Sequence, residues 1–402
     1  MNNLDRIKFF LYPFAILGAE MYSAYSSLIG VEHEEGSSKY LLFMIGLFCL
    51  SMLFVIRDLI IYGNSVNKKV LLIPIFFSSC YFLETSFGSP ILEWTKKSYY
   101  FHLFFSLPAI MSASILASTN QVEKIYKNMD IIMHILAIGM IANLPKMLLM
   151  GTLINGYNNI SYQSALAFGY LYYGLLSKRE DRYYIFKTKI YRPVCIAMCT
   201  LLALTSLASG GRGGVVLLFV QIAIISLIYV SRPNIFRVFF LLVPLLVAFV
   251  MIIANLINDS AFASVLETGM DRAFSYISKN GIDMSQTSNR DEAYGLALEN
   301  IQLNPWTGYG IFYTIGKFGY PHNIFLEMLE QGGVLYLFVW LILIIKSLLR
   351  GWYILKYDNG LNFLIPLMLY PCIMLLFSGS YLMNATFWFS ICFCLIYPKS
   401  IH

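Results

Sequence analysis

Charge is what this sequence has least of. Only 12% of its 402 residues are Asp, Glu, Lys or Arg, while 58% are hydrophobic. A soluble chain of this length carries about twice that charge to cover its surface, so a water-soluble globular domain is excluded. No Asp-x-Asp pair occurs, and the scattered His102, His134 and His402 show no ligand spacing, so no metal site and no cofactor are expected. The seven cysteines (Cys49, Cys80, Cys195, Cys199, Cys372, Cys392 and Cys394) all fall inside apolar runs. Their spacings match neither zinc nor redox motifs, which predicts small buried apolar residues and no disulfide framework. Internal repeats and low-complexity tracts are missing as well. No small-residue cleavage site follows MNNLDRIK and its apolar run, which is therefore expected to be a retained first span.

What the chain has in quantity is apolar runs of membrane-crossing length. Windows of about 20 such residues predict about twelve transmembrane helices. They fall at about 9–30, 40–62, 70–88, 99–119, 131–150, 160–177, 193–209, 214–230, 236–257, 324–348, 361–379 and 384–397. The expected fold is an all-α, polytopic integral membrane protein forming one membrane domain over residues 1–402, because barrel strands would alternate instead. Of 28 Lys and Arg residues, 19 lie on alternate connections, with KREDRYYIFKTKIYR the densest stretch. Basic residues stay on the cytoplasmic side, which places both termini inside. The net charge of +6 then reflects topology and not nucleic-acid binding.

One connection is not short. Residues 258–322, between the ninth and tenth spans, form a large outer loop of mixed character. Loops of that length are uncommon unless functional, so the chemistry is expected there. Within it SNRDEAYGLALENIQ reads as a short amphipathic helix, capped by Ser288 or Asn289, with Asp291 and Glu292 at its positive end. Ala293, Leu296, Ala297 and Ile301 make one apolar face, and Arg290 opens the helix, free to point into a cavity. In NPWTGYG, Pro305 stops the helix while Gly308 and Gly310 permit a tight turn. GYPHNIFLEMLEQGG then re-enters the membrane, with Pro321 suited to a helix start and His322 and Asn323 at the positive end of the next span.

A second outer motif, ASGGRGG, joins the seventh and eighth spans. Arg212 sits there between two glycine pairs, where a charge is costly unless it meets an anion or water. Gly211 and Gly213 would let the backbone approach a ligand, and a guanidinium binds phosphate oxygens in bidentate fashion. The plain alternative is that Arg212 caps a helix or snorkels to headgroups.

SGGRGG, NRDEAY, NPWTGYG and PHNIFLEMLEQGG, in this order and with about three spans after the loop, resemble the O-antigen ligase and polymerase family of membrane glycosyltransferases. The resemblance covers about residues 200–340. The family often has Ser-Arg-Gly where this chain has Gly211-Arg212-Gly213, which concerns a serine hydroxyl and not the arginine. The resemblance implies a GT-C-like fold in the bacterial cytoplasmic membrane. It implies a polyprenyl-diphosphate-linked glycan as donor, a glycan acceptor, membrane lipids as surroundings and a chain-length regulator as a further partner. Arg212 and Arg290 would then neutralise the leaving diphosphate, and His322 would take the proton of the attacking hydroxyl. A position at a helix N-terminus should keep that imidazole neutral. The reaction is expected to invert the anomeric centre with no covalent intermediate.

Asn323, Glu327 and Glu330 share one helix face at i, i+4 and i+7. Asn323 either orients the sugar or caps the helix, and Glu330 is read as a structural partner for an arginine. Gly308, Tyr309 and Gly310, with Trp306 and Tyr313, are candidate sugar contacts, although an interfacial aromatic belt explains the rings equally. Tyr162 and Gln163 could meet the acceptor sugar, and Lys146 could join an anion site or snorkel. Glu32, His33, Glu34 and Glu35 read as a solvated loop.

Ligase and polymerase differ in acceptor: a lipid A core, or another lipid-linked repeat unit. From Asp259 to Tyr320 four basic residues face seven acids, a net of −3, which suits a neutral glycan better than a phosphate-rich core and favours the polymerase. A transporter flipping lipid-linked sugars is the reading from another class. Transporters often show related halves with interrupted helices at mid-membrane, whereas here the polar motifs gather on one face and in one late loop.

Overall fold

The structure, a computed structural model, describes residues 3–29, 38–63, 65–87, 93–150, 156–177, 184–229, 261–274, 277–278, 281–282, 290–315 and 319–398. Among the described residues the regular structure is helical, apart from a two-residue antiparallel pairing of Ile277–Ser278 with Gly281–Ile282 and an isolated bridge between Ile315 and Gly319. Among the described residues, eight helices are long and apolar enough to cross a membrane.

The chain runs through α1 (Asn3–Ile29), α2 (Ser38–Tyr62), α3 (Leu72–Phe87), α4 (Glu93–Phe101), a π-helical turn (His102–Ser106) and α5 (Leu107–Ser118). Then come α6 (Tyr126–Ile141), α7 (Asn143–Met150), α8 (Tyr157–Leu176), α9 (Tyr191–Ala208) and α10 (Arg212–Tyr229). The late loop contributes α11 (Ala261–Phe274) and α12 (Arg290–Leu303), and α13 (Ile324–Tyr357), α14 (Ile365–Phe377) and α15 (Ala385–Ile396) follow. Helices thus overlie eleven of the expected spans, and the one at 236–257 lies outside the described residues. The long helix after the loop runs on from the expected 348 to Tyr357, because Lys346, Arg350 and Lys356 are good helix formers. It stops where the Asp358 carboxylate accepts the Gly360 amide instead.

Interruptions occur where a side chain competes with the helical ladder. Leu17 leaves helical geometry four residues after Pro13, whose missing N–H already weakens that turn. Asn143, at the break between α6 and α7, donates to the Gly139 and Met140 carbonyls and to Ser27 Oγ. Close helix contacts use small residues, as expected where lipid supplies no hydrophobic drive between helices. The Gly139 backbone, for example, lies directly on Ala24.

Two ends of the bundle are distinct. At one, Tyr12 donates to Asp58 Oδ2 (2.6 Å), and the Tyr397 hydroxyl lies 2.9 Å from both Asn120 Oδ1 and Asp358 Oδ2. At the other, the C-terminal ends of α1, α9 and α14 meet the N-terminal ends of α8, α10, α13 and α15. The described residues of SGGRGG, NRDEAY, NPWTGYG and PHNIFLEMLEQGG lie at this second end.

Candidate functional site

The NPWTGYG segment docks on an irregularity in α13. Gly333 has φ +69° and ψ −170°, a conformation open to glycine alone, so the ladder breaks there. The loop answers the break: Tyr309 and Gly310 amides donate to the Glu330 and Gln331 carbonyls (2.9 and 2.8 Å), and the Val334 amide donates to Pro305 O (2.8 Å). A Cβ on Gly308, itself at φ +63°, would lie 2.4 Å from Gln331 O, and one on Gly333 would lie 2.3 Å from the Trp306 backbone. Gly308 and Gly310 therefore serve a backbone clasp, and nothing in the clasp leaves them facing a ligand. Glu84 fastens the next residues by accepting from the Ile311 and Phe312 amides. The tyrosines of the motif pack on each other, Tyr309 against Tyr313 at 4.9 Å.

Glu330 does not pair with an arginine as expected. Its Oε1 accepts from the Asn300 side chain at 2.6 Å, because α12 lies along the start of α13 and presents Asn300 there. Arg290, Ala293, Ala297 and Asn300 form the inward face of α12, while Leu296 is exposed and belongs to the other side. The small alanines let α12 approach closely enough for Arg290 to reach inward.

His322 sits where that face meets α13. Its φ of +56° is left-handed, rare for a residue with a side chain and costly enough that the surroundings must impose it. Pro321 lies two residues before the helix cap and not at the helix start. Asn323 is the cap, its Oδ1 accepting the Phe325 and Leu326 amides (3.0 and 3.2 Å) while its Nδ2 donates to Leu376 O (3.2 Å). With both ends of the amide engaged, Asn323 fixes the backbone beside His322, and its side chain is committed to the cap rather than to a sugar. The Tyr320 ring stands edge-on to the imidazole at 4.6 Å, and Nδ1 is buried with no hydrogen-bond partner among the described residues.

Burial lowers the His322 pKa to about 4, and the Arg290 guanidinium adds to the shift. The ring is neutral, as the sequence implies, but the principal causes are burial and a neighbouring cation, not the helix terminus.

Arg212 opens α10. Its Nε donates to the Arg272 carbonyl at 2.9 Å. Arg272 in turn lies over the Tyr157 ring (4.0 Å) and hydrogen-bonds its hydroxyl. The flanking glycines have a different role from ligand approach. A Cβ on Gly211 would lie 2.4 Å from Ser161 Cβ, and one on Gly213 would lie 1.7 Å from the Tyr162 hydroxyl. Ser161 Oγ is also 2.9 Å from both Ser206 O and Gly211 O. The glycines are there so that α8 can press against the junction of α9 and α10.

The structure therefore brings Arg290 and His322 together and places Arg212 with Arg272 and Tyr157. A cavity lined by Asn159 and Gln163 from α8 and by Tyr320 from the loop lies beside the ring of Tyr320 that faces His322. Lys146 is engaged by the Ser27 carbonyl. Glu32, His33, Glu34 and Glu35 lie outside the described residues. Sequence reasoning missed Arg272 and Glu20, a second residue of the cavity wall; the available signal for Glu20 was an acid inside an apolar span.

Residues 197–341 match the family model described as O-antigen ligase, the family that the motifs resemble. Arg212, Arg290 and His322 all lie within the matched stretch. No curated protein and no solved structure matches the chain. The match covers 145 of the 402 residues and, with the membrane-crossing helices, supports a glycosyltransferase-like function of the O-antigen ligase and polymerase type.

Proposed function

We propose that the protein is a polysaccharide polymerase. It transfers a glycan from a polyprenyl diphosphate carrier onto a second lipid-linked repeat unit at the outer face of the cytoplasmic membrane. The reading is carried by one observation: a half-buried imidazole, held neutral by its surroundings and with its enclosed Nδ1 unpaired among the described residues, stands within the field of a guanidinium.

The chemistry follows from those two groups. The acceptor hydroxyl gives its proton to His322 as its oxygen bonds to the anomeric carbon. The bond from that carbon to the diphosphate oxygen breaks, and the electron pair leaves with the carrier. Arg290 neutralises the charge that develops there, while Arg212 and Arg272 supply positive charge to the rest of the diphosphate. Displacement from the opposite face inverts the anomeric centre, and the step as written uses no metal or cofactor.

An imidazole of pKa about 4 is a weak base in the free protein. Diphosphate bound at Arg290 cancels the guanidinium's share of that shift, so donor binding raises the basicity of His322 when it is needed. The net −3 charge of the late loop supports a neutral glycan acceptor, hence a polymerase. The family description supports the second reading, a ligase whose acceptor is a lipid A core.

Purified protein given only lipid-linked repeat units is expected to make a ladder of chain lengths. No ladder, with transfer to a lipid A core, establishes the ligase instead. Neither product, from protein shown to be folded, removes both.

A further inference from the structure

Beside the Tyr320 ring, which stands against His322, lies a cavity whose wall leaves two buried acceptors open. It holds about 120 Å³ and is open on one side. Glu20 of α1 and Gln163 of α8 face it, 6% and 5% exposed. Glu20 engages Tyr370, but its Oε2 has no partner, and Gln163 Oε1 has none either among the described residues. Two buried acceptors left open in one cavity are expensive unless something supplies donors. Among the described residues no Lys or Arg lines the wall, so an anion meets no full positive charge there.

The backbone around this cavity is specialised. A π-helical turn at His102–Ser106 interrupts the α4–α5 line, a device frequent at functional sites. It sets Phe101 and Phe105 as an apolar wall and lets His102 and Ser106 hold the Leu382 carbonyl at 3.0 and 2.7 Å. That fixes the Ser378–Asn384 segment as the floor. Tyr320 closes the side nearest the chemistry, with its ring against His322.

We propose that this cavity is the acceptor-sugar subsite, taking an uncharged pyranose whose hydrogen-bond donors pair with Glu20 Oε2 and Gln163 Oε1. The assignment rests on the glycosyl-transfer reading above and adds the acceptor's chemistry to it. Aromatic walls suit the apolar faces of a sugar ring, a carboxyl group suits its hydroxyls, and a wall without Lys or Arg offers an acidic sugar no counter-charge. A sugar seated here presents its outer edge past Tyr320 towards the imidazole.

The test uses the full chain in lipid nanodiscs and the methyl glycosides of glucose, N-acetylglucosamine and glucuronic acid, with binding read by saturation-transfer NMR. At least one neutral glycoside is expected to bind, with the glucuronide weaker by about tenfold. Glu20→Leu and Gln163→Leu, each checked for an unchanged thermal midpoint, are expected to weaken binding by about tenfold. Arg290→Ala should bind the glycosides as the parent does. Absence of binding to the folded parent, equal binding of the glucuronide, or unchanged binding in both folded Leu variants overturns the subsite. Polymer formation by Arg290→Ala and His322→Ala cells is scored in parallel. Loss of polymer alongside absent glycoside binding leaves the transferase reading standing and removes only the subsite. Retained polymer alongside Glu20-dependent binding removes the transferase reading and leaves a sugar site.

Discussion

Arg290 and His322 are brought together from two helices, α12 and the entry of α13, so that the charge of one bears on the proton affinity of the other. Removing that charge is expected to raise the His322 pKa from about 4 while burial still holds it below 6.5. Titration of isotope-labelled histidine in Arg290→Ala checks the direction. An unmoved resonance in the folded variant contradicts the contact.

Turnover is expected to fall by about 10²–10³-fold in Arg290→Ala and by a comparable factor in His322→Ala. Arg290→Lys should recover part of the loss, since it restores charge without the fork. Initial rates on lipid-linked donor decide, with protein abundance as the control.

Stability should carry the same signature. His322 is depressed to about 4 in the folded chain, so between pH 6.5 and 4 only the unfolded chain takes up this proton. Folding therefore loses stability as pH falls through that window, and His322→Ala should flatten the slope. Thermal midpoints across the range in detergent measure it.

Gly308→Ala and Gly333→Ala are each expected to destabilise by about 1–3 kcal/mol through their left-handed backbone, and by more where the new methyl meets backbone. Gly295, helical with nothing within 4 Å of a Cβ, is the internal control. Gly295→Ala should stabilise by about 0.5–1 kcal/mol. Equal effects at all three positions argue against the clasp.

Asn323→Ala removes the cap of α13 and is expected to cost about 1 kcal/mol, with activity falling because His322 loses its fixed neighbour. Asn323→Ser retains a capping oxygen and should keep most of both. Activity lost in the serine variant at full stability identifies Asn323 as a substrate contact after all.

The helices were legible because long apolar runs have few alternatives in a membrane, and Arg290 and His322 stood out because polar residues at helix starts are conspicuous there, although their proximity was not itself readable. Other assignments could not be read. Gly211 and Gly213 look identical in sequence whether they admit a ligand or a neighbouring helix, and only α8, some fifty residues earlier, decides between the two. Glu330 signals a need for a partner without saying that Asn300 supplies it. Glu20 and Gln163 face one cavity from helices far apart in the chain, a meeting that local patterns do not encode.

The irregular Gly333 has a mechanical consequence. A straight helix of 34 residues would be about 51 Å long, against a hydrocarbon layer of about 30 Å. Residues 334–357 alone reach about 36 Å, enough to cross. The first nine residues, 324–332, are thus a separate platform, fastened by the loop, which holds the crossing segment only at its first residue, Val334. When bilayer thickness changes, the crossing segment can tilt to match it while the imidazole keeps its aim.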